Sequence, residues 1–409
     1  MIEFDSVQLA RESSAKIKVV GIGGAGCNTV KSIMANDSGG IEYIVINTDA
    51  QALENSTAPV KIRIGARSTK GLGSGANPEV GKRAAEETLS DIMEHLEDAD
   101  IVFLTAGMGG GTGSGALPVI AHALKERDIL TIAVVTKPFN FEGKKRTAIA
   151  QEVIEQLKDA VDTLIVIPNQ NLLGVVDVKT SMIDAFNMIN TVLGQSVKSI
   201  SDIITKPGHI NVDFADVRTI MKNRGMAIMG TARATGPDRT LEATLAAISS
   251  PLLENMDMRG SHSVLLNITG SKNLSLHEVS QAASIIYEQA DADAQIILGS
   301  VVDESLGDDV QVTIIATGFE HAKHKQPAQD MKVKATVLDV DEPCNLAPEP
   351  KPVESPVIQP LIEKQPISAV LSNYKKTVEM QSRDVFLGDD ALDVPSFLRK
   401  SEKSELENS

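Results

Sequence analysis

The chain has 409 residues, a hydrophobic fraction of 42%, a formal net charge of −16 and only two cysteines. That length and apolar content suffice for more than one packed domain, while the negative charge excludes a non-specific nucleic-acid binder, which needs a basic face against the phosphates. Cys27 and Cys344 exclude a disulfide framework, and no stretch is apolar enough to span a bilayer; the start, Met1-Ile2-Glu3-Phe4-Asp5, has no leader pattern, so a cytoplasmic protein without direct membrane insertion is expected.

Ile17-Lys18-Val19-Val20-Gly21-Ile22 predicts a first buried strand, followed by glycines, a helix through about Met34 and a second strand at Tyr43-Ile44-Val45-Ile46. Strands and helices then alternate, with helix 77–96, strand 101–105, helix 117–127, strand 130–135, helix 145–157 and strand 164–167. Short, continuously apolar strands separated by helices predict a parallel sheet covered on both faces, with ligands at the carboxyl ends of its strands. From Ser181 to about Ile204, the residues Met182, Ile183, Phe186, Ile189, Val192, Leu193, Val197 and Ile200 recur at helical spacing and predict one long central helix. Strands at 226–230, 264–269, 296–301 and 310–315, with helices at 241–248 and 276–290, predict a second α/β domain. After about Phe319 the composition turns to Pro, Lys, Glu, Gln and Val, which cannot bury enough apolar surface to offset chain entropy, so a disordered linker is expected.

Gly109-Gly110-Gly111-Thr112-Gly113-Ser114-Gly115 stands between an apolar strand and a helix expected from near Ala116. It reads as a phosphate cradle: glycine allows positive φ and close backbone approach, and the free N–H groups opening the helix donate to an anion. Thr112 and Ser114 would add hydroxyl donors. A flexible linker is the alternative, but glycine inside structure costs about 1 kcal/mol per residue. Gly21-Ile22-Gly23-Gly24-Ala25-Gly26 also fits the G-x-G-x-x-G dinucleotide pattern, and Asp49 follows the second strand where a ribose-binding acid would stand. An NAD-linked oxidoreductase would use that loop alone, whereas two glycine loops suit a triphosphate. No G-x-x-x-x-G-K-[ST] occurs, so a P-loop is excluded, and phosphate charge must be balanced by amides, helix dipoles and a metal ion.

Gly109 to Gly115 is identical to the tubulin signature. The segments Asn47-Thr48-Asp49-Ala50-Gln51-Ala52-Leu53, Gly71-Leu72-Gly73, Gly75-Ala76-Asn77-Pro78, Thr136 through Arg146 and Asn211 through Arg218 resemble the FtsZ family of bacterial tubulin-like division proteins, over roughly residues 15 to 320 and a short tail motif. The resemblance implies a tubulin/FtsZ-like α/β fold: a parallel-sheet nucleotide-binding domain, a long central helix, a second α/β domain and a disordered C-terminal tail. It implies binding of GTP and GDP, with Mg2+ as the accompanying ion, through Gly23, Gly24, Ala25, Gly26, Cys27 and Asn28 in the first loop. Gly107, Gly109, Gly110, Gly111, Thr112 and Gly113 belong to the second. Thr136 and Pro138 follow, Glu142 and Arg146 would contact ribose and phosphates, and Asn169, Phe186 and Asn190 would form the base pocket. From its residues alone, the Glu142–Arg146 pair equally suits a solvated helix start, and Phe186 suits the apolar stripe of the core better than a base stack. Ala25, Cys27 and Asn190 depart from the pattern of many relatives.

The glycine loops offer no evident base. In the family the acids come from the next subunit, and the matching residues are Asn211, Asp213 and Asp216, which a helix of about 24 residues would carry about 36 Å away. Asp213 and Asp216 could polarise water near the γ-phosphate directly or through a cation at the interface; read locally, Asn211 or Asp213 as an N-cap with Asp216 in the first turn is the favoured reading. Head-to-tail contacts that do not close generate filaments, so a homopolymer with GTP-driven turnover is implied, acting in a cytokinetic ring at the division site. The tail Ala391 to Lys400 resembles the peptide that binds membrane-tethering adaptors such as FtsA, here through Asp393, Val394, Pro395, Phe397, Leu398 and Arg399; an incidental amphipathic stretch is the local alternative. The expected organisation is a flexible N-terminus at 1–14, a GTP-binding domain at 15–180, the central helix at 181–206 and a C-terminal domain at 207–319 that carries the acidic loop at 211–216. A linker at 320–388 and the adaptor-binding end at 389–409 complete it.

Overall fold

The computed structural model describes residues 15–35, 39–174, 176–177, 179–206, 208–250, 260–291 and 293–319. The expectations for 1–14, for the linker and for the adaptor-binding tail lie outside these residues.

The described elements begin with β1 (Ile17–Ile22), α1 (Gly23–Met34), β2 (Ile41–Asn47), α2 (Ala50–Glu54), β3 (Val60–Arg63), α3 (Pro78–Glu87), α4 (Leu89–Glu94) and β4 (Ile101–Gly107). There follow α5 (Thr112–Glu126), β5 (Leu130–Lys137), α6 (Lys144–Ala160), β6 (Thr163–Pro168), α7 (Asn169–Leu172) and the long α8 (Met182–Thr205). The remainder is β7 (Gly208–Ile210), α9 (Phe214–Met221), β8 (Gly225–Ala234), α10 (Arg239–Ile248), β9 (Ser263–Gly270), α11 (Leu276–Gln289), β10 (Gln295–Val302) and β11 (Val310–Thr317).

All eleven strands form one sheet in the order β3-β2-β1-β4-β5-β6-β8-β11-β9-β10-β7. From β3 to β6 every pairing is parallel, and β6 pairs β8 in parallel over three residues. Beyond β8 the sheet is mixed, with β11 antiparallel to both its neighbours. The parallel strands are apolar on both faces because both are covered. Ile17 and Val19 of β1 join the core under α1 and α8, while Val20 and Ile22 join the core under α3 to α6. A third core lies between the mixed strands and α10 and α11.

Three elements differ from the sequence expectation. The helix expected over 77–96 is two helices that break at Thr88 (φ −120°, ψ 16°): its hydroxyl bonds Ala84 O at 2.7 Å while its N–H turns to Ala85 O, so the side chain competes for the carbonyl that would continue the helix. The helix expected from Leu117 starts five residues earlier, at Thr112, so half of the glycine run is helical. Here glycine serves packing, since a Cβ on Gly115 would collide with Pro78 O and one on Gly81 with Gly111 O, and α3 and α5 cross at that contact. Finally, the apolar stripe of α8 is buried only from Ile189 onward; Met182 and Ile183 are exposed, and Phe186 is 36% exposed rather than part of the core. The short strands β3 and β7 escape a periodicity reading because three or four residues carry too little pattern.

Candidate functional site

In the order β3-β2-β1-β4-β5-β6 the chain direction of strand addition reverses between β1 and β4, and ligands of open parallel sheets bind beyond the carboxyl ends at such a point. β1 runs directly into Gly23 and β4 into the Gly109 run, so the two glycine loops, far apart in sequence, leave adjacent strands. A Cβ on Gly23 (φ +73°) would lie 3.1 Å from Gly113 N. Neither α1 nor α5 has a side-chain cap at its N-terminus, as is also true of α4, α6, α7 and α10, and because β1 and β4 are neighbours their two sets of helix N–H groups open side by side.

The space around each glycine separates packing from exposure to a ligand. A Cβ on Gly26 would strike Thr105 O, one on Gly111 would strike Ser74, one on Gly107 would press on Ala25, and one on Gly113 would sit 3.1 Å from Gly107 O. Gly109 takes φ +91° and lies against the Arg146 backbone. Gly24, by contrast, has no atom within 4 Å of its absent Cβ, and Gly110 has only Gly107 O at 4.0 Å. These two positions leave room that no protein atom fills, and close approach of an anion would need such room. Ala25, one of the departures, is exposed and its methyl is accommodated by Gly107.

The hydroxyls expected to donate to phosphate are engaged within the protein. Thr112 Oγ1 lies 2.7 Å from Thr48 Oγ1 and 3.0 Å from Ser74 Oγ, all three buried, and Ser114 Oγ accepts from Gly109 N at 2.9 Å. They tie the second glycine loop to the loops after β2 and before α3. Met108 N donates to Thr136 O at 2.9 Å and fastens the same loop to β5. Cys27 is buried in α1; desolvation pushes its thiol up to about 11, against a weak contact from Asn47 Nδ2 at 3.8 Å, so it is a packing residue rather than a nucleophile. Asn28, beside it, is exposed.

The far side of the site is built by the ends of β5 and β6 and the start of α8. Glu142 accepts from Phe139 N at 2.9 Å and pairs with Arg146 at 2.6 Å, so the carboxylate holds the turn and aims the guanidinium along α6. Pro138 and Phe139 are buried; Phe139 stacks on Phe141 at 4.9 Å and meets the edge of Phe186 at 5.8 Å. Asn169, at the first turn of α7, is buried with its Oδ1 unbonded among the described residues. A buried amide oxygen without a partner costs about 1–3 kcal/mol and invites a donor from a ligand. Asn190 lies one turn beyond Phe186, with its Oδ1 3.4 Å from the Thr29 hydroxyl, which also bonds Ala25 O at 3.0 Å. Thr29 and Ser74 carried no sequence signal, because their contacts join residues 161 and 38 positions away. Asp49 commits one oxygen to Gln51 N and Ala52 N at 2.9 and 3.4 Å, a capping role that competes with ribose binding.

Asn211, Asp213 and Asp216 are not brought to this site. Arg218 of α9 bonds Asp128, just before β5, and Asn223 N bonds Asp162, just before β6, so α9 docks at the amino ends of the parallel strands, opposite the glycine loops. Asp213 and Asp216 form a reciprocal capping box, with Asp216 N to Asp213 Oδ1 at 2.8 Å and Asp213 N to Asp216 Oδ2 at 3.4 Å. Asn211 Oδ1 accepts from Gly208 N at 2.8 Å. All three are exposed, and each carboxylate keeps an oxygen outside the capping box. Among the described residues no three His, Cys, Asp or Glu side chains converge as a metal site, and no helix is long and apolar enough to cross a membrane.

Comparison with known proteins finds the profile of the Tubulin/FtsZ family, GTPase domain, over residues 16–177, and that of the FtsZ family, C-terminal domain, over residues 225–320. An empty FtsZ dimer from M. jannaschii is 41% identical, with a TM-score of 0.73, and the match covers 77% of this chain and 91% of that one. A tryptophan mutant of FtsZ from the same organism is also 41% identical, with a TM-score of 0.72, covering 76% of this chain and 94% of the other. A GDP-bound monomer of CetZ1 from Haloferax volcanii shares the fold at 22% identity and a TM-score of 0.66, over 75% of this chain and 96% of that one.

Proposed function

The chain belongs to the Tubulin/FtsZ family, and from that premise we propose that it is a GTPase that assembles head to tail into filaments and completes each active site with the acidic segment of the adjacent subunit. The observation that carries the reading is that the glycine loops follow the carboxyl ends of the parallel strands while Asp213 and Asp216 lie at their amino ends. The glycine loops can hold a nucleotide without a base, and Asp213 and Asp216 are exposed acids without a nucleotide.

In this reading, the open amides of Gly23, Gly24 and Ala25, and of Gly110, Gly111, Thr112 and Gly113, donate to the phosphates, while Gly26, Cys27, Asn28, Gly107 and Gly109 shape the two loops around them. Arg146, aimed by Glu142, adds charge at their edge, Thr136 and Pro138 set the end of β5, and Phe186 offers a face to the base. Asn169 Oδ1, buried and unbonded, suits guanine N–H donors, as does the Asn190 carboxamide once Thr29 bonds Ala25 instead. Mg2+, bound with the triphosphate, would offset its charge near the free oxygens of Asp213 and Asp216. Those carboxylates orient the attacking water and accept its proton as the bond from γ-phosphorus to the GDP oxygen breaks, giving GDP and phosphate. Loss of the γ-phosphate weakens the subunit contact and drives filament turnover.

Membership in this family supports a role in a cytokinetic ring at the inner face of the membrane, with adaptors of the FtsA type held by Asp393, Val394, Pro395, Phe397, Leu398 and Arg399. The test is GTP-dependent light scattering with simultaneous phosphate release. Asp213→Ala and Asp216→Ala should keep GTP binding and lose most turnover; normal hydrolysis by both variants refutes the shared site. A chain lacking 389–409 should still assemble but fail to collect on adaptor-coated vesicles.

A further inference from the structure

Asp128 lies outside every segment that pointed to nucleotide chemistry, yet two cations grip it. It follows the last turn of α5 with φ +59°, a left-handed conformation that Asp and Asn adopt more readily than most residues. Its carboxylate accepts from Arg218 Nη2 and Lys222 Nζ, both at 2.7 Å, and its carbonyl accepts from Arg218 at 3.3 Å. Arg218 lies in the last turn of α9 and Lys222 is its C-cap, so both cations stand at the C-terminal end of that helix. That helix is only eight residues long and begins at the Asp213–Asp216 capping box. Its apolar side, Val217, Ile220 and Met221, is buried, and its end is held by Thr163 and Thr317 hydroxyls on Met221 O and Ile220 O and by Asp162 on Asn223 N. These contacts seat the C-terminal end. Asp128 holds the solvent side of that same end, and because α9 has only eight residues the direction fixed there carries through to its first turn.

We propose that Asp128 is a positioning residue for hydrolysis: by gripping Arg218 and Lys222 it fixes the pitch of α9, and with it the place at which Asp213 and Asp216 are offered to the neighbouring subunit. The inference rests on the reading that those acids act in trans. The clamp also closes a mechanical path within one subunit, because α5 begins in the glycine run and ends at Asp128, a strut of about 22 Å for 15 residues. Asp128 is 70% exposed, and exposed ion pairs add little to folding stability, so its effect belongs in turnover rather than in the unfolding midpoint.

The experiment uses the full chain with Asp128→Asn, which keeps shape and backbone tolerance and removes the charge, beside Lys222→Gln, which opens the clamp from the other side, and Asp213→Ala. Three quantities are read: the urea midpoint without nucleotide, GTP affinity below the assembly concentration, and GTP turnover per assembled subunit. Asp128→Asn should leave the midpoint unchanged and affinity within about twofold of the parent and lower turnover per assembled subunit at least fivefold; Lys222→Gln should lower it less, and Asp128→Glu should restore part of it. Added to Asp213→Ala, Asp128→Asn should cause no further loss, since both act at one step. Unchanged turnover in Asp128→Asn while Asp213→Ala is inactive overturns the positioning role and leaves the shared site standing. Full turnover in Asp213→Ala instead removes the reading on which the inference rests. A fall in midpoint and affinity together with turnover shows a merely structural clamp and also overturns it.

Discussion

Gly24→Ala should make the nucleotide-free protein more stable and its GTP complex weaker. Gly24 is the second residue of α1, is exposed, has φ outside the left-handed region and has no atom within 4 Å of where a Cβ would stand. The added methyl therefore meets no steric opposition, and the loss of glycine from a helix is worth up to about 1 kcal/mol. In a domain of this size that corresponds to a rise in Tm of about 2–4 °C. The same methyl occupies the open space beside the first glycine loop, where a phosphate would need to approach within about 2.9 Å of an amide. Losing one hydrogen bond to a charged group is worth about 1.5–3 kcal/mol, or about a 10- to 150-fold weaker Kd. Calorimetric melting without nucleotide and titration of GTP below the assembly concentration measure the two effects separately. A higher Tm with unchanged affinity would refute the assignment of this surface to phosphate, and a lower Tm would refute the packing assessment itself.

Gly115→Ala should act in the opposite way: its Cβ would collide with Pro78 O and Lys82 N, so α3 must move off α5, at about 1–3 kcal/mol in urea unfolding. Phe186→Ala should weaken GTP by about tenfold or more with little change in the unfolding midpoint, because a partly exposed ring loses little burial but a base stack is worth about 1–3 kcal/mol; an unchanged Kd places the base elsewhere. In the C-terminal part, the Arg239 guanidinium, 2.7 Å from Glu278, lowers the Glu278 carboxyl from 4.5 to about 2. A depressed folded value means that its stabilisation is complete above pH 4.5 and is lost as pH falls toward about 2. The difference in urea midpoint between the parent and Glu278→Gln should therefore be large near about pH 6 and narrow near about pH 3, and an equal gap at both would count against the pair.

Much of the architecture was legible because its signals are local. Ile17–Ile22, Ile101–Gly107 and Leu130–Lys137 are predominantly apolar runs that a sheet covered on both faces buries, and the apolar residues from Ile189 to Ile203 repeat at helical spacing for the same reason. Glycine, too, announces unusual backbone wherever it is clustered. What a glycine is for was not local. Gly24 and Gly115 look alike in a string of residues, yet one faces open space and the other a carbonyl of a different helix, and only the approach of α3 to α5 separates them. The break at Thr88 and the exposure of Phe186 were missed on similar grounds, since each depends on what a neighbouring element leaves available.

The amino-acid sequence by itself determined the longer strands and helices, two glycine loops and an acidic helix cap, because propensity and hydrophobic period act over a few residues. Tertiary structure decided that β1 and β4 are neighbours, so that two glycine loops stand side by side, and that α9 bonds Asp128 at the amino ends of the parallel strands. Those placements depend on strand order, which arises from the burial of whole faces and the crossover of connecting helices rather than from any single segment. The separation of acid from cradle, and with it the proposed dependence on a second subunit, is therefore a property of topology.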